Sequence, residues 1–204
     1  MEYTREQIKE VLTSKGYKWF NDHNNKGYDV NIIGIRNSET DGKITNHFDD
    51  TLTISYKDEA GEWKFHQWEA TTDPGQYWME HPMNSNGCAI LVPGQYRGSH
   101  KIRLHQGKYE ALGQRKPVKV YRDNDLDDVY DTDEATITEG VYGINIHRSN
   151  PYDKSYYVNK WSAGCQVFKK VADFHEFMDI CRKASDIWGN SFTYTLIESK
   201  DKRD

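Results

Sequence analysis

Apolar positions recur at helical spacing near the N-terminus, where Ile8, Val11 and Leu12 form a stripe behind Thr4. Thr4 can cap that helix, Gln7 three residues on completes a capping-box pattern, and Gly16 stops it. Trp19 and Phe20 then anchor the segment to the body. From Val30 the period changes to two. Residues 30–35 read as a strand, Asp41-Gly42 as a turn, 51–56 as a cleanly alternating strand, Ala60-Gly61 as a second turn, and 63–68 as the strand that pairs back to complete a meander. In Asp73-Pro74-Gly75 the proline presets one dihedral and the glycine supplies a positive one, so the chain turns sharply. Residues 88–93 read as a buried strand that includes Cys88, 94–98 as a loop, and 118–121 as a strand. Towards the end Val171, Phe174, Phe177, Met178 and Cys181 make the stripe of an amphipathic helix over 169–184, and 192–197 form a closing strand. The pattern predicts an α+β chain, mainly β, with a helical segment over 1–25 packed on a single domain over 26–204.

Composition narrows the function classes. With 13% aromatic residues, including 6 Trp and 14 Tyr, the 204-residue chain is not disordered, because disorder goes with poverty in aromatics. Tyr and Trp in such numbers suit strands and aromatic-lined grooves. A formal net charge of -5 without a basic stripe argues against nucleic acid as partner. No stretch reaches membrane-spanning length and the first residues lack the apolar run of a signal peptide, so a soluble cytosolic product with no membrane partner is expected. Cys88, Cys165 and Cys181 are an odd set without paired spacing, which suits one reactive thiol better than a disulfide framework.

That thiol is Cys165. It follows the small pair Ala163-Gly164, where the backbone can turn and leave its amides accessible, and it precedes apolar Val167 and Phe168. Upstream, Ile144 and Ile146 alternate with polar neighbours in a strand that carries His147 at its end. A thiol on a turn and an imidazole on a strand end are the two parts of a Cys–His nucleophile pair, with the Gly164 and Cys165 amides as oxyanion donors. Ser162 would brace the turn or the imidazole. Arg148 could bind a substrate carboxylate, although strand alternation points it away from His147. Tyr142 and Trp161, flanking the two halves of the motif, and Asp73, in a turn able to wall a cleft, complete the candidate substrate contacts. His100 and His105, with Arg103 between them, read as surface or groove histidines, since no third ligand stands at zinc-site spacing. Asp123, Asp125 and Asp127 with Glu134 copy part of a calcium loop, but Asp128 occupies the position that needs Gly. The stretch therefore reads as an acidic turn, able to attract the ammonium of a diamino acid. No metal and no cofactor is expected.

Ile146-His147 followed by Ser162-Ala163-Gly164-Cys165 resembles the signature of the L,D-transpeptidase (YkuD-like) catalytic domain, in which Ile-His-Gly precedes Ser-His-Gly-Cys. Here Arg148 replaces the Gly after the histidine, Ala163 the second His, and Gln166-Val167-Phe168 the Arg-containing tail. The Ser-Ala-Gly-Cys form is similar to divergent, phage-encoded members. The resemblance implies a β-sandwich or barrel, peptidoglycan stem peptides as substrate, a thioester on Cys165, and a backbone carbonyl orienting His147. It implies a hydrolase of endolysin or carboxypeptidase type, with cross-linking transpeptidase and non-catalytic wall-binding or phage structural module as the rival readings. Action at the cell wall would require delivery by a lysis pore or a virus particle.

Overall fold

The first strand of the chain finds its parallel partner in the last, and this closes a barrel. A computed structural model describes residues 2–202. The helices are α1 (Arg5–Ser14), α2 (Gln76–Glu80) and α3 (Val171–Trp188). The strands are β1 (Asn31–Arg36), β2 (Asp50–Lys57), β3 (Trp63–Thr71), β4 (Cys88–Leu91), β5 (Gly94–His105), β6 (Tyr109–Gln114), β7 (Val118–Asp123), β8 (Thr138–Gly140), β9 (Ile146–Arg148), β10 (Gln166–Phe168) and β11 (Phe192–Glu198). The barrel runs β1-β11-β5-β6-β9-β10-β3-β2, and a second sheet has the order β4-β7-β8. The fold is α+β and mainly β. No helix among the described residues is long and apolar enough to cross a membrane.

The locally encoded elements form as their patterns dictate. Thr4 Oγ1 accepts the Gln7 amide at 3.2 Å while Gln7 Oε1 accepts the Thr4 amide at 3.0 Å, so two N-terminal donors of α1 are satisfied reciprocally. The stripe of α1 packs with Trp19 against Ile33, Ile35 and Ile197 on β1 and β11. The neighbour of those residues, Ile32, belongs instead to the main core. Apolar burial on both faces explains why β1 reads as a nearly continuous hydrophobic run. β1, β2 and β3 form the expected antiparallel meander. Along α3, Phe174, Phe177, Met178 and Cys181 join Trp68, Phe168 and Phe192 in the main core. This helix runs to Trp188, past the expected end, because no breaker stands before Gly189, whose φ is +88°.

Three expectations need correction. Residues 94–98 open the long strand β5 rather than a loop. The register of β5 against β11 slips between His100↔Phe192 and Tyr96↔Tyr194, and Gly98 within that slip has φ +58°, so the glycine marks a bulge. β6 was not expected at all. It pairs with β5 through Gln106-Gly107, both at positive φ, which is the backbone of a tight hairpin turn. His100 is a core residue and not a surface one. It is fully buried, bonded to Ser99 Oγ and to the Ile144 carbonyl, each at 2.8 Å, and burial lowers it to about 4.

Candidate active site

β9 and β10 are parallel neighbours, with Gln166 opposite Ile146 and Val167 opposite His147. Alternation sends Ile146 and Phe168 into the main core, whereas Val167 packs with Phe48 and Val158 in a separate cluster that Cys165 adjoins. Cys165 stands two residues before Val167, so its side chain leaves the same face as His147. The expected nucleophile and base are thus brought to one side of adjacent strands.

The turn carrying the nucleophile is held from within. Ser162 is fully buried; its hydroxyl donates to the Cys165 carbonyl at 2.7 Å and accepts the Gly164 amide at 3.1 Å. Ser162 therefore braces the loop and not the imidazole. This also corrects the oxyanion assignment, because the Gly164 N–H is already engaged. Among the described residues the Cys165 N–H has no partner, and it is the amide left for an oxyanion. From outside, the turn is tied to the Asp73-Pro74-Gly75 bend, where the Gly75 amide donates to the Ser162 carbonyl at 2.9 Å. The crossover between β9 and β10 is clamped by Asn46, which accepts the Asn159 amide at 2.8 Å and donates back to Asn159 Oδ1 at 2.8 Å.

His147 Nδ1 lies 2.8 Å from the Arg148 carbonyl. A carbonyl can only accept, so Nδ1 carries the proton and Nε2 is the basic nitrogen. Tyr109 Oη stands 3.5 Å from the same Nδ1. The His105 ring stacks on His147 with centroids 4.2 Å apart and planes 21° off parallel. The Cys165 thiol donates to the Gly143 carbonyl at 3.2 Å and receives the Asn145 amide at 3.5 Å. Asn145, His105 and Tyr109 were not foreseen as site residues. For the last two the legible signal was Gln106-Gly107 between strand-like runs, which sets both at the end of one hairpin, facing each other in the register.

Burial pushes the Cys165 thiol up to about 11, and the Asn145 N–H opposes this only in part. Burial holds His147 down at about 3, and a proton on the facing His105 would oppose a second one here. Both shifts are led by the cost of a lone charge in this setting, so at rest the thiol and the imidazole are both neutral. Moving the proton from sulfur to nitrogen creates opposite charges together, and their attraction returns part of that cost. Alkylation of Cys165 by iodoacetamide in the free protein should therefore be slow at pH 7 and rise roughly tenfold per pH unit towards 10, following the thiolate fraction. Mass spectrometry should show a single early label, since Cys88 and Cys181 are buried and their thiols also raised by burial. A rate already at its plateau at pH 7 would contradict this resting state.

The remaining candidates are scattered. Arg148 does reach the site despite strand alternation: its guanidinium folds over the Tyr109 ring at 4.0 Å. Trp161 stands 40% exposed on the approach to the turn. The Tyr142 ring lies beneath the Arg122 guanidinium, 4.5 Å away, and packs against the core. Asp73 makes no contact with the thiol and lines a separate cavity with Ile90, Tyr121 and Tyr130. Its carboxylate pairs with the buried Arg36 at 2.7 Å, and Arg36 also donates to the carbonyls of Thr72 and Leu91, so Asp73 serves a buried polar network. In the acidic loop Asp123, Asp125 and Asp131 bring oxygens within 4.8 Å of one another. Asp127 is not in that group and accepts the Val129 amide instead, so the spacing of a calcium loop is not realised. No protein-family model matches the chain, and no curated protein or solved structure matches it.

Proposed function

We propose that the chain is a cysteine acyl-transfer enzyme of L,D-transpeptidase-like type that hydrolyses peptidoglycan stem peptides, as a phage-type lysin would. The observation that carries the reading is that Cys165 packs on the Val167 side of β10 while Val167 pairs with His147 on β9, with the His147 tautomer set by the Arg148 carbonyl. A closed, mainly β barrel is compatible with it, and the Ser-Ala-Gly-Cys turn supplies the substrate class by resemblance. In this scheme His147 Nε2 takes the thiol proton as Sγ attacks the peptide carbonyl. The negative charge on that oxygen faces the Cys165 N–H. Collapse breaks the C–N bond, the leaving amine takes the proton from His147, and a thioester remains. Water, deprotonated by the same imidazole, then releases the acid and restores the thiol.

The test is incubation of the purified protein with defined muropeptides and identification of the products by mass. A gain of one water across a cleaved stem-peptide bond is the expected result. Joined peptides would assign the acyl group to an amine acceptor, and intact muropeptides at all pH values would defeat the proposal.

A further inference from the structure

Asn145 is the hub of the site, and every polar group it has is engaged. Its N–H points at Cys165 Sγ and its carbonyl accepts the Gln166 amide at 2.9 Å. Its side-chain Oδ1 accepts the Gln114 amide at 2.9 Å, and its Nδ2 lies 3.3 Å from His105 Nδ1. The Gln114 amide can only donate, which fixes the oxygen of the Asn145 carboxamide on that side and the NH₂ towards His105. An NH₂ group can only donate, so His105 Nδ1 is an acceptor and the ring is neutral, with its proton on Nε2. Protonating His105 at Nδ1 would set N–H against N–H and break this bond.

The surroundings oppose that protonation as well. Arg103 and Lys108 flank His105 on its own hairpin and Arg148 approaches from β9; together with burial they lower its affinity for a proton. Tyr109 tilts towards it from β6 with ring centroids 5.4 Å apart, His147 stacks on it, and Cys165 acts on Tyr109 from the nucleophile turn. No carboxylate pairs with His105 among the described residues.

We infer that Asn145 and His105 form a positioning pair for the base: Asn145 keeps His105 neutral, and the neutral ring seats His147 and supports the imidazolium formed when it takes the Cys165 proton. An aromatic face attracts a cation placed against it, whereas a charged His105 would repel one. The inference rests on the Cys165–His147 reading above, and neither residue of the pair touches the reacting atoms through its side chain.

Three variants test it, each checked for an intact unfolding transition. His105→Ala should lower kcat on muropeptides about tenfold with KM unchanged, since a cation on an aromatic face is a modest but real stabilisation. His105→Phe, which keeps a flat ring, should recover most of that loss. Asn145→Asp, which can accept a proton bond from Nδ1, should hold His105 charged and move the acid limb of kcat/KM up by about one pH unit. Nitrogen-15 spectra of the imidazoles should show His105 Nδ1 unprotonated and His147 Nδ1 protonated at neutral pH. An acid limb and kcat in His105→Ala equal to the parent, or a protonated His105 Nδ1 at neutral pH, would overturn the inference. Should the parent protein cleave no wall peptide, the functional reading fails separately. The pair is then decided by the tautomers and by alkylation of Cys165, slower in His105→Ala if the pair is real and unchanged if it is not.

Discussion

Cys165→Ala is expected to lower hydrolysis of stem peptides by at least about 10⁴-fold, because it removes the atom that would form the proposed acyl-enzyme and leaves only whatever binding and the free amide contribute. The substitution should hardly disturb the fold. The side chain is half-buried, and its loss leaves two backbone partners unpaired, the Asn145 N–H and the Gly143 carbonyl, at about 1 kcal/mol each. Urea titration should therefore show the same cooperative transition at slightly lower denaturant. His147→Gln is the companion experiment. Glutamine can still donate to the Arg148 carbonyl but cannot take a proton, so kcat should fall about 10²–10⁴-fold, the range of general-base contributions. Undiminished digestion by Cys165→Ala would end the enzymatic reading whatever the geometry suggests.

The second large effect belongs to Gly164→Ala. Gly164 has φ +117°, a conformation that costs an L-residue of the order of 1–3 kcal/mol. A methyl group there would lie 2.5 Å from the Ala89 carbonyl oxygen and 3.1 Å from Ile144 Cδ1. The first neighbour is backbone of β4 and cannot rotate aside, so overpacking adds about 1–3 kcal/mol. The expected destabilisation is about 2–6 kcal/mol by denaturant titration. Gly61→Ala is the control: its φ is also positive, at +80°, but nothing lies within 4 Å of the added methyl, so the backbone cost acts alone. Equal losses at the two sites would refute the steric argument. Where Gly164→Ala still folds, the nucleophile must shift with the turn, and a displacement near 1 Å is enough to cost about 100-fold in rate.

What was legible in the sequence was what neighbours in the chain decide. The α1 capping box, the β1–β3 meander and the α3 stripe depend on spacing within a dozen residues, and each formed where the pattern put it. Cys165 and His147 were singled out by the order and spacing of the motif, and the parallel register sets His147 opposite Val167, two residues past Cys165. The misreadings arose where a distant contact overrides local preference. Gly98 looks like a loop residue, yet pairing with β11 makes it a bulge inside a strand. Asp73 looks like a surface turn residue until Arg36, from the first strand, arrives to pair with it. His105 joins the site because the β5–β6 hairpin ends beside β9, and the ladder between β6 and β9 is the single pair Leu112–Ile146. Nothing in the residues around position 105 encodes that meeting.

The pairing of β1 with β11 has a temporal consequence. A ribosome making this protein will have incorporated His147 and Cys165 before the strand that shuts the cylinder is made. Until residues 192–198 emerge, β1 and β5 each present an unpaired border, and long-range pairing of this kind is slow to establish. Released chains truncated at about position 185 should accordingly bind holdase chaperones and leave Cys165 open to alkylating agents. A site that needs the closed barrel around it is therefore assembled only once residues 192–198 have paired with β1 and β5.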